Sequence, residues 1–159
     1  MDKRALVQKI VAHLEAELEL FAKAARASHA EATHEQSKAE NKYDTRGLEA
    51  SYLARGQSRQ VAEAEHALKQ FQSLVLRMFA PHDPIDLGAL VELQRNKEKS
   101  FYFLGPRAGG TEIIHEDKEI LVITPQSPLG QQLVGKKQGE RLQIDMGGSR
   151  DQYRVVSVT

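Results

Sequence analysis

Cysteine and tryptophan are missing from these 159 residues. Without a thiol there is no disulfide, no thiolate nucleophile and no cysteine ligand for zinc, which fits a reducing cytoplasm. An excess of charge is missing too. Twenty-two basic residues balance 22 acidic ones, so nothing draws the whole chain onto nucleic acid through counterion release, and any contact with RNA or DNA has to be local. No stretch is apolar enough to span a bilayer, and the N-terminal MDKRALVQKI lacks the apolar core and cleavage site of a signal peptide. The expectation is a soluble cytoplasmic protein with no membrane partner. His13, His29, His34, His66, His82 and His115 are scattered, with no pair at the i, i+4 spacing of a helical metal site, so no metal site is expected.

What is present begins with a heptad seam. Val7, Val11, Leu14, Leu18, Phe21, Ala25, Ser28 and Ala32 alternate steps of four and three, thickened by Ile10, and no Gly or Pro interrupts this arm. Ala50, Ala54, Gln57, Val61, Ala64, Leu68, Phe71, Val75 and Met78 repeat the alternation in a second arm that Pro81 ends. If the arms pair antiparallel, Val7 faces Met78, Leu14 faces Phe71 and Ser28 faces Gln57, which puts the bend between Asn41 and Tyr43. Asp44 or Thr45 is then suited to cap the second helix. The seam shrinks from Leu and Phe to Ala, Ser and Gln toward that bend. At about 1.5 Å per residue, arms of roughly thirty residues would reach on the order of 45 Å.

Beyond PHDP (Pro81 to Pro84) the apolar period changes. Ala89–Leu93, Phe101–Leu104, Ile120–Ile123, Leu142–Ile144 and Tyr153–Val156 read as strands, with turns at Gly105-Pro106, Gly109-Gly110 and Gly147-Gly148. Ser127 is placed to cap one short helix, Pro128 to Val134, with Pro128 at its first position. The fold class is α+β: a long N-terminal antiparallel coiled-coil hairpin (1–80, tip near 37–49), a linker (81–84) and a small antiparallel sheet domain with one short helix (85–159).

The run from Ile123 to Glu140, ITPQSPLGQQLVGKKQGE, resembles the bacterial Gre-type transcript-cleavage factors, where S-P-L-G is followed by L-G-K and G-[DE]. The hairpin-then-sheet order is similar to that family as well, so the resemblance covers essentially the whole chain. It implies a sheet domain like that of the FK506-binding proteins, docked on bacterial RNA polymerase, and a hairpin inserted into the polymerase's secondary channel. Ser127, Pro128, Leu129, Gly130 and Lys136 then become the candidate docking region. It further implies a monomer without a cofactor of its own, acting on Mg²⁺ held by the polymerase and meeting nascent RNA only at its 3′ end within that complex.

In the family the tip carries D-x-x-E-N and then an aromatic. Here Ser37-Lys38-Ala39-Glu40-Asn41 and Tyr43 stand in those places, so Glu40 and Asn41 carry over while Ser37 replaces the first acid. A hydroxyl is a poor substitute for a carboxylate at a hard cation. Asp44 and Glu49 could replace it from across the bend, giving Glu40, Asp44 and Glu49 as candidate tip carboxylates and Ser37, Asn41 and Tyr43 as candidate binding residues. Lys38, Lys42 and Arg46 interleave with those acids and weaken the attraction for a metal. Each tip residue also has a structural role open to it: Asp44 as a helix cap, Asn41 as a left-handed helix end, Tyr43 as a lid over the seam. Lys136 and Lys137 equally suit a polar turn, and Arg95, Lys97 and Lys99 a solvated hairpin end.

The functional expectation is therefore an elongation factor, an accessory to the polymerase rather than an enzyme. The alternative is a paralogue that occludes the channel without stimulating cleavage. More distant is a prolyl isomerase or chaperone, disfavoured because the sheet domain has no tryptophan for an aromatic proline pocket. A purely structural coiled coil would want large seam residues up to the bend.

Overall fold

The computed structural model describes residues 1–33, 46–146 and 148–159. The chain divides into two compact units, Met1–Ile10 with Gln70–Thr159, and Val11–Lys69. Two long helices, α1 (Lys3–Thr33) and α2 (Arg46–Gln72), precede strands β1 (Leu90–Arg95), β2 (Glu98–Leu104), β3 (Glu112–His115) and β4 (Lys118–Ile123), the short helix α3 (Pro128–Leu133), and strands β5 (Arg141–Met146) and β6 (Ser149–Val158).

The helical unit follows the heptad count. Leu14 is buried and Val11, Leu18, Phe21, Ala25 and Ser28 are half-buried on α1. On α2, Ala54 and Ala64 are buried, and Gln57, Val61 and Leu68 are half-buried. Helix α1 starts where Asp2 accepts from the Ala5 amide at 3.1 Å, a cap that removes one orphan donor. Candidate caps Asp44 and Thr45 lie outside the described residues.

Helix α2 stops at Gln72 instead of running to Phe79. Val75 and Met78, counted into the seam, are 83% and 77% exposed. The pull comes from Phe79, which is buried in the sheet core and carries the Lys3 ammonium 4.9 Å and the Arg77 guanidinium 4.2 Å from its ring centre. A heptad count registers only helical neighbours, and burial of this ring outweighs two further seam positions.

The six strands form one sheet in the order β3-β4-β2-β1-β6-β5. Four pairings are antiparallel, as expected. The fifth, β2 with β4, is parallel. Strand β3, absent from the sequence expectation, accounts for this: β3 and β4 form a hairpin whose second strand, not its first, lies beside β2. Alternation then sends Leu104, Ile123, Val91, Leu93 and Val155 into the main core with Leu133 of α3, while Phe103 and Val122 point to the other face. Phe71 sits there, its ring centre 6.3 Å from that of Phe103. The β3–β4 hairpin also holds the start of α1, because Lys9 donates to the Ile114 carbonyl at 3.1 Å and Glu116 accepts from the Asp2 amide at 3.0 Å.

Candidate functional site

Of the candidate tip residues, Ser37, Glu40, Asn41, Tyr43 and Asp44 lie outside the described residues. Glu49 is in the first turn of α2 and exposed. Among the described residues no group of His, Asp or Glu side chains is arranged to hold a metal ion.

The segment 124–136 is fully described. Ser127 has an extended backbone and its hydroxyl accepts from the Gly130 amide at 3.1 Å while donating to the Thr124 carbonyl at 2.7 Å. That is the N-cap the sequence called for, with Pro128 at the helix start. The helix is one residue shorter than expected, closing at Leu133, where the Val134 amide still bonds to the Gly130 carbonyl at 2.9 Å. Gly130 is a steric requirement. A Cβ there would lie 1.8 Å from the Thr124 carbonyl oxygen and 2.9 Å from Ser127 Oγ. Leu129 packs on the sheet core and Leu133 is wholly buried in it, so the helix is anchored on one side and offers Pro128, Gln131 and Gln132 to solvent. Lys136 is held through its backbone: its carbonyl accepts from the Ile85 amide at 2.8 Å, and the Gly135 amide donates to the Ile85 carbonyl at 2.9 Å.

Beside this segment opens a cleft of about 780 Å³ lined by Gln70, Asp86, Leu87, Pro106, Arg107, Ala108, Thr124, Pro125 and Gln126. The residues outside 124–126 were not singled out in the sequence; Gly105-Pro106 marked a turn but not what the turn lines. Gly105 itself is pinned, since a Cβ would come within 2.7 Å of the Phe71 ring and 3.0 Å of Val122.

At the β1–β2 end Arg95 and Lys99 are neutralised, while Lys97 is exposed. Arg95 bonds Asp151 at 2.7 Å and Glu98 at 2.9 Å, and the hydrogen bonds from Glu98 and then Asp151 raise its pKa further above the ordinary arginine value. Lys99 pairs with Glu92 at 2.7 Å. Burial works against the Glu92 charge, but hydrogen bonds from Lys99 and Ser157 outweigh it and hold the carboxyl below its usual range.

The C-terminal-domain model of the family described as "Transcription elongation factor, GreA/GreB, C-term" matches residues 80–159, just over half of the chain. The chain belongs to the GreA/GreB family. Solved structures with similarity to it include the GreA factor homolog 1 (Gfh1) protein of Thermus thermophilus, 21% identical over 94% of each chain with a TM-score of 0.40. Gfh1 of Thermus aquaticus is 22% identical over 92% of each chain, at a TM-score of 0.42. The GreA/GreB factor of Nitrosomonas europaea is 17% identical over 60% of this chain and 78% of its own, at 0.39. No curated protein sequence matches the chain. Within the GreA/GreB match lies the whole capped segment from Thr124 to Lys136.

Proposed function

We propose that this chain is a transcription elongation factor that binds bacterial RNA polymerase, docking through its sheet domain (85–159) and presenting the hairpin tip to the polymerase's secondary channel. The observation that carries the proposal is the family match over 80–159, with the S-P-L-G segment in it built as a capped, core-anchored turn. A rigid mount of this kind suits docking, because little side-chain or loop freedom is lost on association. The factor acts as a monomeric accessory in the cytoplasm, without a cofactor of its own; the Mg²⁺ and the nascent RNA 3′ end both belong to the polymerase complex.

A second reading, occlusion of the channel without cleavage, is favoured by Ser37 at the position of the family's first acid and by Lys38, Lys42 and Arg46 among the remaining carboxylates. The test is to add the full chain to a stalled, backtracked elongation complex and follow shortening of the RNA, with binding measured alongside. For a cleavage factor, Glu40→Ala abolishes stimulation and leaves binding nearly unchanged, since the carboxylate acts only in the transition state. For an occluding factor, the wild type binds without shortening the RNA, and Ser37→Asp gains some cleavage. Shortening that survives Glu40→Ala, Asp44→Ala and Glu49→Ala together would remove the tip from the chemistry, and absence of binding would remove the proposal itself.

A further inference from the structure

Six cations lie on the strands of the sheet, and four of them are satisfied within it. Arg95 and Lys99 hold the carboxylates described above, Arg150 faces Asp145 at 3.5 Å, and Lys118 lies 4.8 Å from the ring centre of Phe101. Arg141 and Arg154 are the other two. They stand directly opposite each other in the β5–β6 register, with Gln94 of β1 next to Arg154 in the same row. Directly opposed side chains have Cβ atoms about 4.5–5.5 Å apart, and like charges at that spacing destabilise the pair. Neither arginine has a carboxylate partner among the described residues. Both line a cleft of about 490 Å³ together with Gln94, Asn96, Gln152 and Tyr153.

We propose that this cleft binds a compact phosphoryl anion bridged by Arg141 and Arg154. Two guanidinium forks, each able to donate two parallel N–H bonds, match the oxygens of one or two phosphoryl groups, and a bound dianion converts a repulsive pair into an attractive one. The amide wall supplies further neutral donors; Gln94 is steadied by its own bond to the Asn96 carbonyl at 2.8 Å. The Tyr153 side chain packs toward the sheet core on the opposite face, so the cleft has no aromatic plate on which a base could stack. Among the described cations nearby, Arg95, Lys99 and Arg150 are already paired with acids, which leaves exposed Lys97 in the β1–β2 turn as the one addition, so the positive field is short and not a track. Both features favour a small phosphoryl ligand over a nucleic-acid strand. No residue of the 124–136 segment takes part in it.

Calorimetric titration of the full chain in low-salt, phosphate-free buffer tests it, with inorganic pyrophosphate, ATP and a single-stranded RNA decamer as separate probes. Pyrophosphate should bind saturably and ATP within about threefold of it, because only the phosphoryl end is held; Arg141→Gln and Arg154→Gln should each weaken both by about tenfold or more, and Arg150→Gln should not. Pyrophosphate should raise the melting temperature of the wild type and leave that of the double variant unchanged. Without ligand, neither single variant should melt below the wild type, since each removes a repulsion. Absence of saturable pyrophosphate binding, binding indifferent to both substitutions, or variants that melt lower without ligand would each overturn the proposal. RNA binding tighter than pyrophosphate and lost in the double variant would replace the small anion with a strand.

Discussion

At Gly130 two energies of opposite sign can be compared. Alanine is favoured over glycine in a helix by about 1 kcal/mol, yet a methyl group here would overlap the Thr124 carbonyl oxygen at 1.8 Å. Backbone cannot swing aside as a side-chain end can, so sterics win: Gly130→Ala should cost about 3 kcal/mol or more in urea unfolding, and a gain would show that Thr124 is free to move. Lys3 gives a test in pH. Burial, helped by the nearby Arg77 charge, pushes its pKa from 10.5 down to about 8, although the ammonium donates to the Arg77 carbonyl at 2.5 Å. Between about pH 8 and 10.5 the unfolded chain keeps a proton that the folded chain has released, so folding stability rises with pH across that window; below it both states are charged and the slope vanishes. Stability measured across this range should show the rise in the wild type and lose it in Lys3→Met. An unchanged slope in the variant would assign the rise to other groups.

Helices and strands were legible to different degrees, and the reasons are physical. The seam of α1 was readable because a 31-residue helix repeats its signal many times. The cap and start of α3 were readable because Ser127 and Pro128 each have a strong positional preference. Strand β3 was not. It has four residues, and its link to β4 is Glu116-Asp117, both left-handed at φ 51° and 59° without a glycine to announce the turn. The candidate docking residues Ser127, Leu129 and Gly130 were found through a motif, while Asp86, Leu87 and Arg107 reach the cleft beside them from distant parts of the chain, which local sequence cannot register. The end of α2 was overrun for a related reason, and it makes a sharp prediction. Phe71, 1% exposed on the Phe103 face, should cost about 3–5 kcal/mol as Phe71→Ala. Met78→Ala, seven residues on and at an equivalent heptad position, should stay within about 0.5 kcal/mol because that side chain is 77% exposed. Equal losses in chemical denaturation would restore the longer helix.

The whole molecule is not cut where its composition changes. PHDP marks a change of period at 81–84, but the compact unit that holds the sheet also takes Met1–Ile10 and everything from Gln70 onward. Leu6 and Ile10 are 0% exposed and Phe71 1%, so the sheet unit draws a good part of its apolar burial from chain that precedes the linker. At about 1.5–3 kcal/mol for each fully buried side chain of this kind, these three contribute roughly 5–9 kcal/mol, which is comparable to the entire stability of an ordinary domain. A fragment of residues 81–159 should therefore lack a cooperative thermal transition and bind a hydrophobic dye through the bared Phe103 and Val122. The helical unit is separable in the opposite sense. A chain in which residues 22–58 are replaced by a short Gly/Ser loop keeps Leu6, Ile10, Phe71 and Phe79, and its sheet unit should still melt cooperatively, within a few degrees of the full chain. If the 81–159 fragment melts cooperatively at the full chain's temperature, the helix root contributes nothing to the sheet; if the shortened hairpin abolishes the transition, the two units do not fold separately.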